Sequence, residues 1–279
     1  MFPLPLREGA GGGGCRTGDP PGRTPVRHGI STAMSPTPAI DVVDLTKKFG
    51  SVTAVDAISF SVPRGRTVGL LGGNGAGKTT TLSMLLGLLL PTSGTIRILG
   101  EDMVRHRHRA LTRMNFSSPY LDLPHRLTVR QNLDVYARLY AVPDRRARIA
   151  ELAAELQFAP MLDRPFGELS SGQKTRVSLA KSLINQPDLL LLDEPTASLD
   201  PDTGDWVRTY LEQFRERIGA TILLASHNMG EVERLCDDVL MMRFGRIVDQ
   251  GTPDALLKRY GRDDLEGVFL AIARAETVP

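Results

Sequence analysis

The stretch TVGLLGGNGAGKTTTLSMLLGLL, from Thr67 to Leu89, constrains this chain more than any other. An apolar run leads into four glycines within six positions, a Lys-Thr pair and a second apolar run, so strand, tight loop and helix must follow one another directly. Gly72 to Thr79 fits the pattern G-x-x-x-x-G-K-[ST]. Gly72, Gly73, Gly75 and Gly77, with Asn74 and Ala76 between them, let the backbone bend until its N–H groups point inward at phosphate oxygens. The positive end of the following helix dipole adds to that field. Lys78 can then reach the outer phosphates of a nucleotide, the Thr79 hydroxyl can ligate Mg²⁺, and Thr80 stands beside them at the helix start. A glycine turn with no ligand is the plain alternative, but it does not account for the strand, the Lys-Thr pair and the helix together.

A counterpart to that loop lies in PDLLLLDEPTASLD, Pro187 to Asp200. Four consecutive leucines read as a central parallel strand covered on both faces, which delivers Asp193 and Glu194 at its carboxyl end, where α/β sheets bind ligands. Asp193 is the candidate for the Mg²⁺ shell, and Glu194 for polarising the water that attacks the γ-phosphate. Two solvated acids at a strand end would be an even alternative in isolation. Opposite a phosphate loop, anionic oxygens are what a nucleotide–Mg²⁺ site needs. A third apolar run, TILLAS, leads to His227. A lone histidine is more often structural, but a third strand end in the same sheet faces the same crevice, where an imidazole can hydrogen-bond the γ-phosphate.

Composition bounds the rest. A chain of 279 residues with 41% hydrophobic residues can bury a substantial core, as one large domain or one domain with a subdomain. The net charge of +2 gives no broad basic surface of the kind that dominates a nucleic-acid binder. Cys15 and Cys236 sit in very different settings, which argues against a disulfide framework and for a reducing compartment. The longest apolar runs fall well short of the roughly 20 residues needed to cross a bilayer. The first 34 residues, rich in Gly, Pro and Arg, are expected to be disordered and lack the apolar segment of about 7 to 15 residues found in a secretory signal. An organellar transit segment or a translation start at Met34 would each account for them.

With these motifs in place, LSSGQ, Leu169 to Gln173, gives the resemblance a family: the chain resembles ATP-binding cassette (ABC) ATPases, whose signature is L-S-G-G-Q. Ser171 stands where the first signature glycine is usual. Ser170 and Gly172 open the helix QKTRVSLAKSLI, so N–H groups and a hydroxyl face outward as another anion site. In the family the signature caps the γ-phosphate held by the opposite subunit. The resemblance therefore implies a head-to-tail homodimer with two ATP molecules between the chains, the second site comprising Ser170, Ser171, Gly172 and Gln173. Phe49 falls where the family places an aromatic against adenine, and Asp200 closes SLD, similar to the loop that signals across the dimer. The resemblance runs from about Ile40 to Gly251. It implies an α/β P-loop NTPase fold with a mostly parallel central sheet, an N-terminal antiparallel β subdomain and an inserted α-helical subdomain. The expected layout is an extension over residues 1–37 and an ATPase domain over 38–279, with helices at about 101–180 and a short helical tail at about 252–279.

The stretches GLLLPTSGTIRILG and DDLEGVFLAIA resemble the subgroup serving ABC-2 type exporters. Such a subunit would work with ATP and Mg²⁺ at the cytoplasmic face of the inner membrane, against a membrane-spanning permease on a separate chain, with no nucleic acid as partner. An importer ATPase is the alternative, and a soluble ABC protein acting on ribosomes or DNA is a more remote one. The basic run RHRHR, Arg105 to Arg109, reads as a solvated helix face.

One family feature is missing. ABC ATPases usually carry a strand ending in a glutamine that binds Mg²⁺ and the attacking water, and its place falls near Ser118 or Pro119. Gln131 lies beyond, in the next helix. Ser117 or Ser118 is expected to take the metal-facing role, since a hydroxyl is an adequate hard oxygen ligand. With Lys78, Thr79, Asp193, Glu194 and His227 all present, an active enzyme is expected.

Overall fold

Two sheets organise the fold, and the apolar patterning of each strand decides which sheet it joins. The computed structural model describes residues 37–118, 122–197 and 199–274. Apart from Thr37, the expected N-terminal extension lies outside the described residues. β1 (Ile40–Phe49) and β2 (Val52–Val62) mix buried and exposed positions and pair as an antiparallel hairpin, Phe49 opposite Val52. β3 (Thr67–Gly72), buried at every position, leads through the glycine loop into α1 (Lys78–Leu85). β4 (Ser93–Ile98) returns beside β1, and β5 (Glu101–Asp102) completes a four-stranded antiparallel sheet in the order β2-β1-β4-β5. The run Arg105 to Arg109 around the start of α2 (Arg107–Leu111) is exposed throughout, and β6 (Met114–Ser117) then enters the second sheet.

Three helices follow: α3 (Val129–Leu139), α4 (Arg145–Glu155) and α5 (Ser171–Leu183). Gln131 donates its N–H to Thr128 Oγ1 at 3.2 Å and accepts the Thr128 N–H on Oε1 at 2.9 Å, a reciprocal cap at the start of α3. Ser170 and Gln173 make the same arrangement at α5, at 3.4 and 3.0 Å. Gln131 is thus committed to its own helix.

The second sheet is assembled from β7 (Leu189–Asp193), β8 (Thr221–Ala225), β9 (Asp238–Arg243) and β10 (Arg246–Gly251) together with β3 and β6. Its order is β10-β9-β3-β8-β7-β6, with β10 antiparallel at one edge and the other strands parallel. Crossovers run through α6 (Pro201–Ile218) and α7 (Met229–Leu235), and the chain continues into α8 (Pro253–Tyr260) and α9 (Leu265–Arg274).

The period of two in a strand divides the core cleanly. Leu70, Leu189, Leu191, Leu223 and Leu240 face the layer formed with α1 and the antiparallel sheet. Leu71, Leu190, Leu192, Leu224 and Met241, one residue on, face the layer formed with the helices that follow β6. Every position of β3, β7 and β8 is therefore buried, which is why these segments read as unbroken apolar runs.

α5 is anchored at its carboxyl end. Arg148 Nη2 donates to the Leu183 carbonyl at 2.7 Å, Asn115 Nδ2 to Asn185 Oδ1 at 2.9 Å, and Lys181 Nζ to the Phe116 carbonyl at 2.9 Å. Burial lowers the Lys181 ammonium to a pKa of about 8. Its amino end, with Ser170 and Ser171, is exposed. No helix of the described residues is long and apolar enough to cross a membrane.

Leu191 is 0% exposed at the centre of β7, with strands on both sides. Leu191→Ala should destabilise the fold by about 3 kcal/mol through lost burial and a residual cavity, measured as a drop in the denaturation midpoint at unchanged m-value.

Candidate active site

The carboxyl ends of β3, β8 and β7 lie side by side, with β8 in the middle, so the segments that follow them meet at one edge of the sheet. After β3 comes the glycine loop. Gly77 sits at φ 103° with the Ala54 carbonyl oxygen 2.7 Å from where a Cβ would stand, and a Cβ on Gly72 would lie 2.6 Å from the Met242 carbonyl oxygen. Close packing of β2 and β9 against the loop leaves no room for a side chain at either place. Lys78 opens α1 and folds back over the loop, donating from Nζ to the carbonyls of Gly72 at 2.6 Å and Gly73 at 3.3 Å. Thr79 is exposed beside it, and Thr80 is half-buried on the next position of the helix.

β7 delivers Asp193, 8% exposed, and Glu194. Glu194 adopts φ 52°, the left-handed region that costs a residue with a Cβ about 1–3 kcal/mol. Its N–H donates to the Ala225 carbonyl at 2.8 Å, which fastens the strained turn to β8. Two residues past β8, His227 places Nδ1 2.6 Å from Glu194 Oε1, while its backbone N–H donates to Oε2 at 3.4 Å. The carboxylate is mostly buried, at 14% exposed, and the imidazole is open at 72%.

Charge in this corner is unbalanced. Burial holds the Asp193 carboxyl above its usual range, and the neighbouring Glu194 adds to the effect while Lys78 opposes it. Burial likewise lowers the Lys78 ammonium, against the pull of Glu194 and Asp193. Two acids and one lysine leave an excess of negative charge that a cation would relieve. Among the described residues no group of three or more His, Cys, Asp or Glu side chains could cage a metal. The donors available, the Asp193 carboxylate and the Thr79 hydroxyl, are hard oxygens and suit Mg²⁺ shared with phosphate oxygens.

An open cleft of about 770 Å³ joins these elements, with Gly72, Gly73 and Asn74 on one side and Glu194 and His227 on the other. Its remaining wall includes Glu266 and Phe269 of α9. The sequence does not single out these two: DDLEGVFLAIA shows a resemblance to the exporter subgroup and a short helical tail, with no residue of it assigned to the site. The Phe269 ring stands 3.8 Å from a Cβ placed on Gly73, and the Arg243 guanidinium donates to the Ile272 carbonyl at 2.8 Å.

Other expected residues stand apart from the cleft. Phe49 ends β1 at 50% exposed, with Lys47 Nζ 5.1 Å from its ring centre. Ser170, Ser171, Gly172 and Gln173 open α5, and Asp200 Oδ1 accepts the Thr203 N–H at 3.0 Å to cap α6. Thr203 Oγ1 lies 3.3 Å from a Cβ built on Gly172, so the two helix starts adjoin. Ser198 is outside the described residues. β6 runs parallel to β7 with Ser117 opposite Leu192, so the buried Ser118 follows at the level of Asp193.

Comparison with known proteins identifies the arrangement. The family described as "ABC transporter" matches residues 55–197, just over half the chain. This chain belongs to the ABC transporter family. The ABC fold is shared with a solved "ATP binding subunit of ABC transporter" (TM-score 0.78, 27% identity, covering 85% of this chain and 100% of the other). It is shared as well with cbiO1 from Clostridium perfringens, described as part of the ABC transporter complex cbiONQ (TM-score 0.72, 29% identity, 86% and 96% covered). The Nod factor export ATP-binding protein I of Ralstonia nicotianae is 42% identical over 224 residues, 79% of this chain and 69% of the relative. As a member of the ABC family, the chain is an ATP-binding ATPase.

The charge imbalance has a measurable consequence. Because the native pKa of Asp193 is raised, folding binds a proton at acidic pH, and this contribution to stability is lost as pH rises through that pKa. Asp193→Asn should therefore raise the melting temperature of the nucleotide-free ABC ATPase near pH 8, with the gain shrinking as the solution is acidified, while Mg²⁺-dependent turnover falls.

Proposed function

We propose that this ABC ATPase is the motor subunit of an export system, with hydrolysis driven by Lys78, Asp193 and the Glu194–His227 pair. The observation that carries this reading is the convergence of the glycine loop, Glu194 and His227, from three adjacent strand ends, on one cleft, with Asp193 directly before Glu194 and Lys78 folded back on the loop carbonyls. The phosphates of ATP would lie against the N–H groups of Gly73 to Lys78, with Lys78 turning from the loop carbonyls to the β- and γ-phosphates. Thr79 and Asp193 would hold Mg²⁺, which supplies charge neutralisation at the phosphates when bound. Glu194 would orient the attacking water and accept its proton, and the exposed imidazole of His227 would contact the γ-phosphate. Phe49 would stack on adenine.

The outward-facing start of α5 supports a two-copy arrangement, in which Ser170, Ser171, Gly172 and Gln173 complete the site of a second copy and Asp200 signals across the interface. ATP binding would close this homodimer, and closure would drive a membrane-spanning permease on a separate chain, at the cytoplasmic face of the membrane. Export as the direction is supported by relatives such as the Ralstonia nicotianae protein, named for Nod factor export, and the cargo would be selected by the permease.

Glu194→Gln keeps the shape of the side chain and removes the base. Turnover should fall by about 10²–10⁴-fold with ATP affinity retained and a stable dimer trapped by ATP, read by phosphate release and size-exclusion chromatography. Full activity in this variant would overturn the assignment. Ser118 is proposed as the oxygen that stands in for the missing glutamine beside Asp193. Ser118→Ala should raise the Mg²⁺ concentration needed for half-maximal turnover, and an unchanged Mg²⁺ titration would remove Ser118 from the site.

A further inference from the structure

Glu231, in the first turn of α7, is the most deeply buried acid among the described residues, at 1% exposed. No lysine or arginine pairs with it there. Its carboxylate is satisfied by two hydroxyls instead: Ser226 Oγ donates to Oε2 at 2.7 Å and Thr196 Oγ1 donates to Oε1 at 2.9 Å. Burial raises the Glu231 carboxyl above its usual range, while the two hydroxyl donors pull it down. A buried carboxylate with no salt bridge, helped only by the more distant Arg208 guanidinium, is costly, and an apolar side chain would fill the same space at lower cost. Stability does not explain a glutamate here, so its geometry must.

The two donors are not arbitrary. Thr196 lies two residues past Glu194 in a hydrogen-bonded turn, in which the Ala197 N–H donates to the Glu194 carbonyl at 3.1 Å and the Leu199 N–H to the Thr196 carbonyl at 3.3 Å. Asp200 follows at once and caps α6. Ser226 directly precedes His227, and its Oγ also accepts the Asn228 N–H at 3.1 Å. One rigid carboxylate therefore fastens the segment after β7 and the segment after β8, on either side of the 2.6 Å contact between Glu194 and His227.

We propose that Glu231 is a positioning residue: its carboxyl group ties the Glu194 turn to the His227 turn, holds the pair in register, and links it to Asp200. The proposal rests on the reading of Glu194 and His227 as the hydrolytic pair. The tether requires two hydrogen-bonding atoms in fixed places but no charge. An amide can supply them, donating to one hydroxyl and accepting from the other.

Steady-state ATPase assays on the full chain, with ATP affinity measured separately by calorimetry, test this. Glu231→Leu should lower kcat by about tenfold with Kd for ATP within about twofold of wild type, the size expected when support for reacting groups is lost. Glu231→Gln should recover kcat to within about threefold of wild type, which a requirement for charge would not allow. Thr196→Val, which keeps the volume and removes the hydroxyl, should lower kcat in the same manner, and combining it with Glu231→Leu should add little further loss. The idea fails if the leucine variant keeps wild-type kcat, if the glutamine variant is as slow as the leucine variant, if the two losses multiply, or if kcat and affinity fall together. If Glu231→Leu does not fold, as judged by its thermal transition, the Thr196→Val and Ser226→Ala pair decides by the same criteria. A wild-type chain without ATPase activity would instead refute the function proposed above.

Discussion

A strand buried on both faces can carry polar chemistry only where it leaves the sheet, and this constraint places everything else in the molecule. β3, β7 and β8 have no solvent-facing side to spend on polar residues. Polar groups must come at or just beyond their carboxyl ends, as Asp193, Glu194 and His227 do, and the parallel register brings those ends to one level. The helices then serve as covers and spacers. Their apolar faces close the core, and their starts provide the fixed backbone positions at Lys78, Ser170 and Asp200.

This division explains which parts were legible in the sequence. β7 and β8 announce themselves as apolar runs because both faces are buried, and the glycine loop announces itself because close neighbours at Gly72 and Gly77, and a left-handed backbone at Gly77, admit little else. The acid pair is legible from its place after the leucine run, and the signature only through the resemblance to the family. By contrast, Glu231 reads as one more charged residue in GEVERL, and nothing in its neighbours says that it faces inward while Glu233 and Arg234 face solvent. Phe269 and Glu266 are hidden for a different reason. Their place at the cleft depends on how α9 packs on the loop side of the sheet, and that is a property of tertiary structure alone.

The charges around the loop are set in a way that bound phosphate and a cation would relieve. Lys78 spends its ammonium on the carbonyls of Gly72 and Gly73, and its own desolvation weakens the charged form. Asp193 is buried beside Glu194 with too little positive charge near it. Each arrangement is unfavourable alone, and the two share a remedy: phosphate oxygens for the lysine and a divalent cation for the carboxylate. Sites of this kind are less stable than they could be because their charges are arranged for a complex.

The segment without a glutamine fits the same logic. β6 is the edge strand of the parallel sheet, with β7 on one side only, and edge strands are the easiest to displace. Here the edge is fastened from the helical side, by Lys181 to the Phe116 carbonyl and by Asn185 to the Thr112 and Met114 carbonyls. All of these donors lie at or just beyond the carboxyl end of α5, whose amino end carries the signature residues. What joins α5 to β6 in this chain is a half-buried lysine and an asparagine, both donating to main-chain carbonyls of the segment that carries the edge strand.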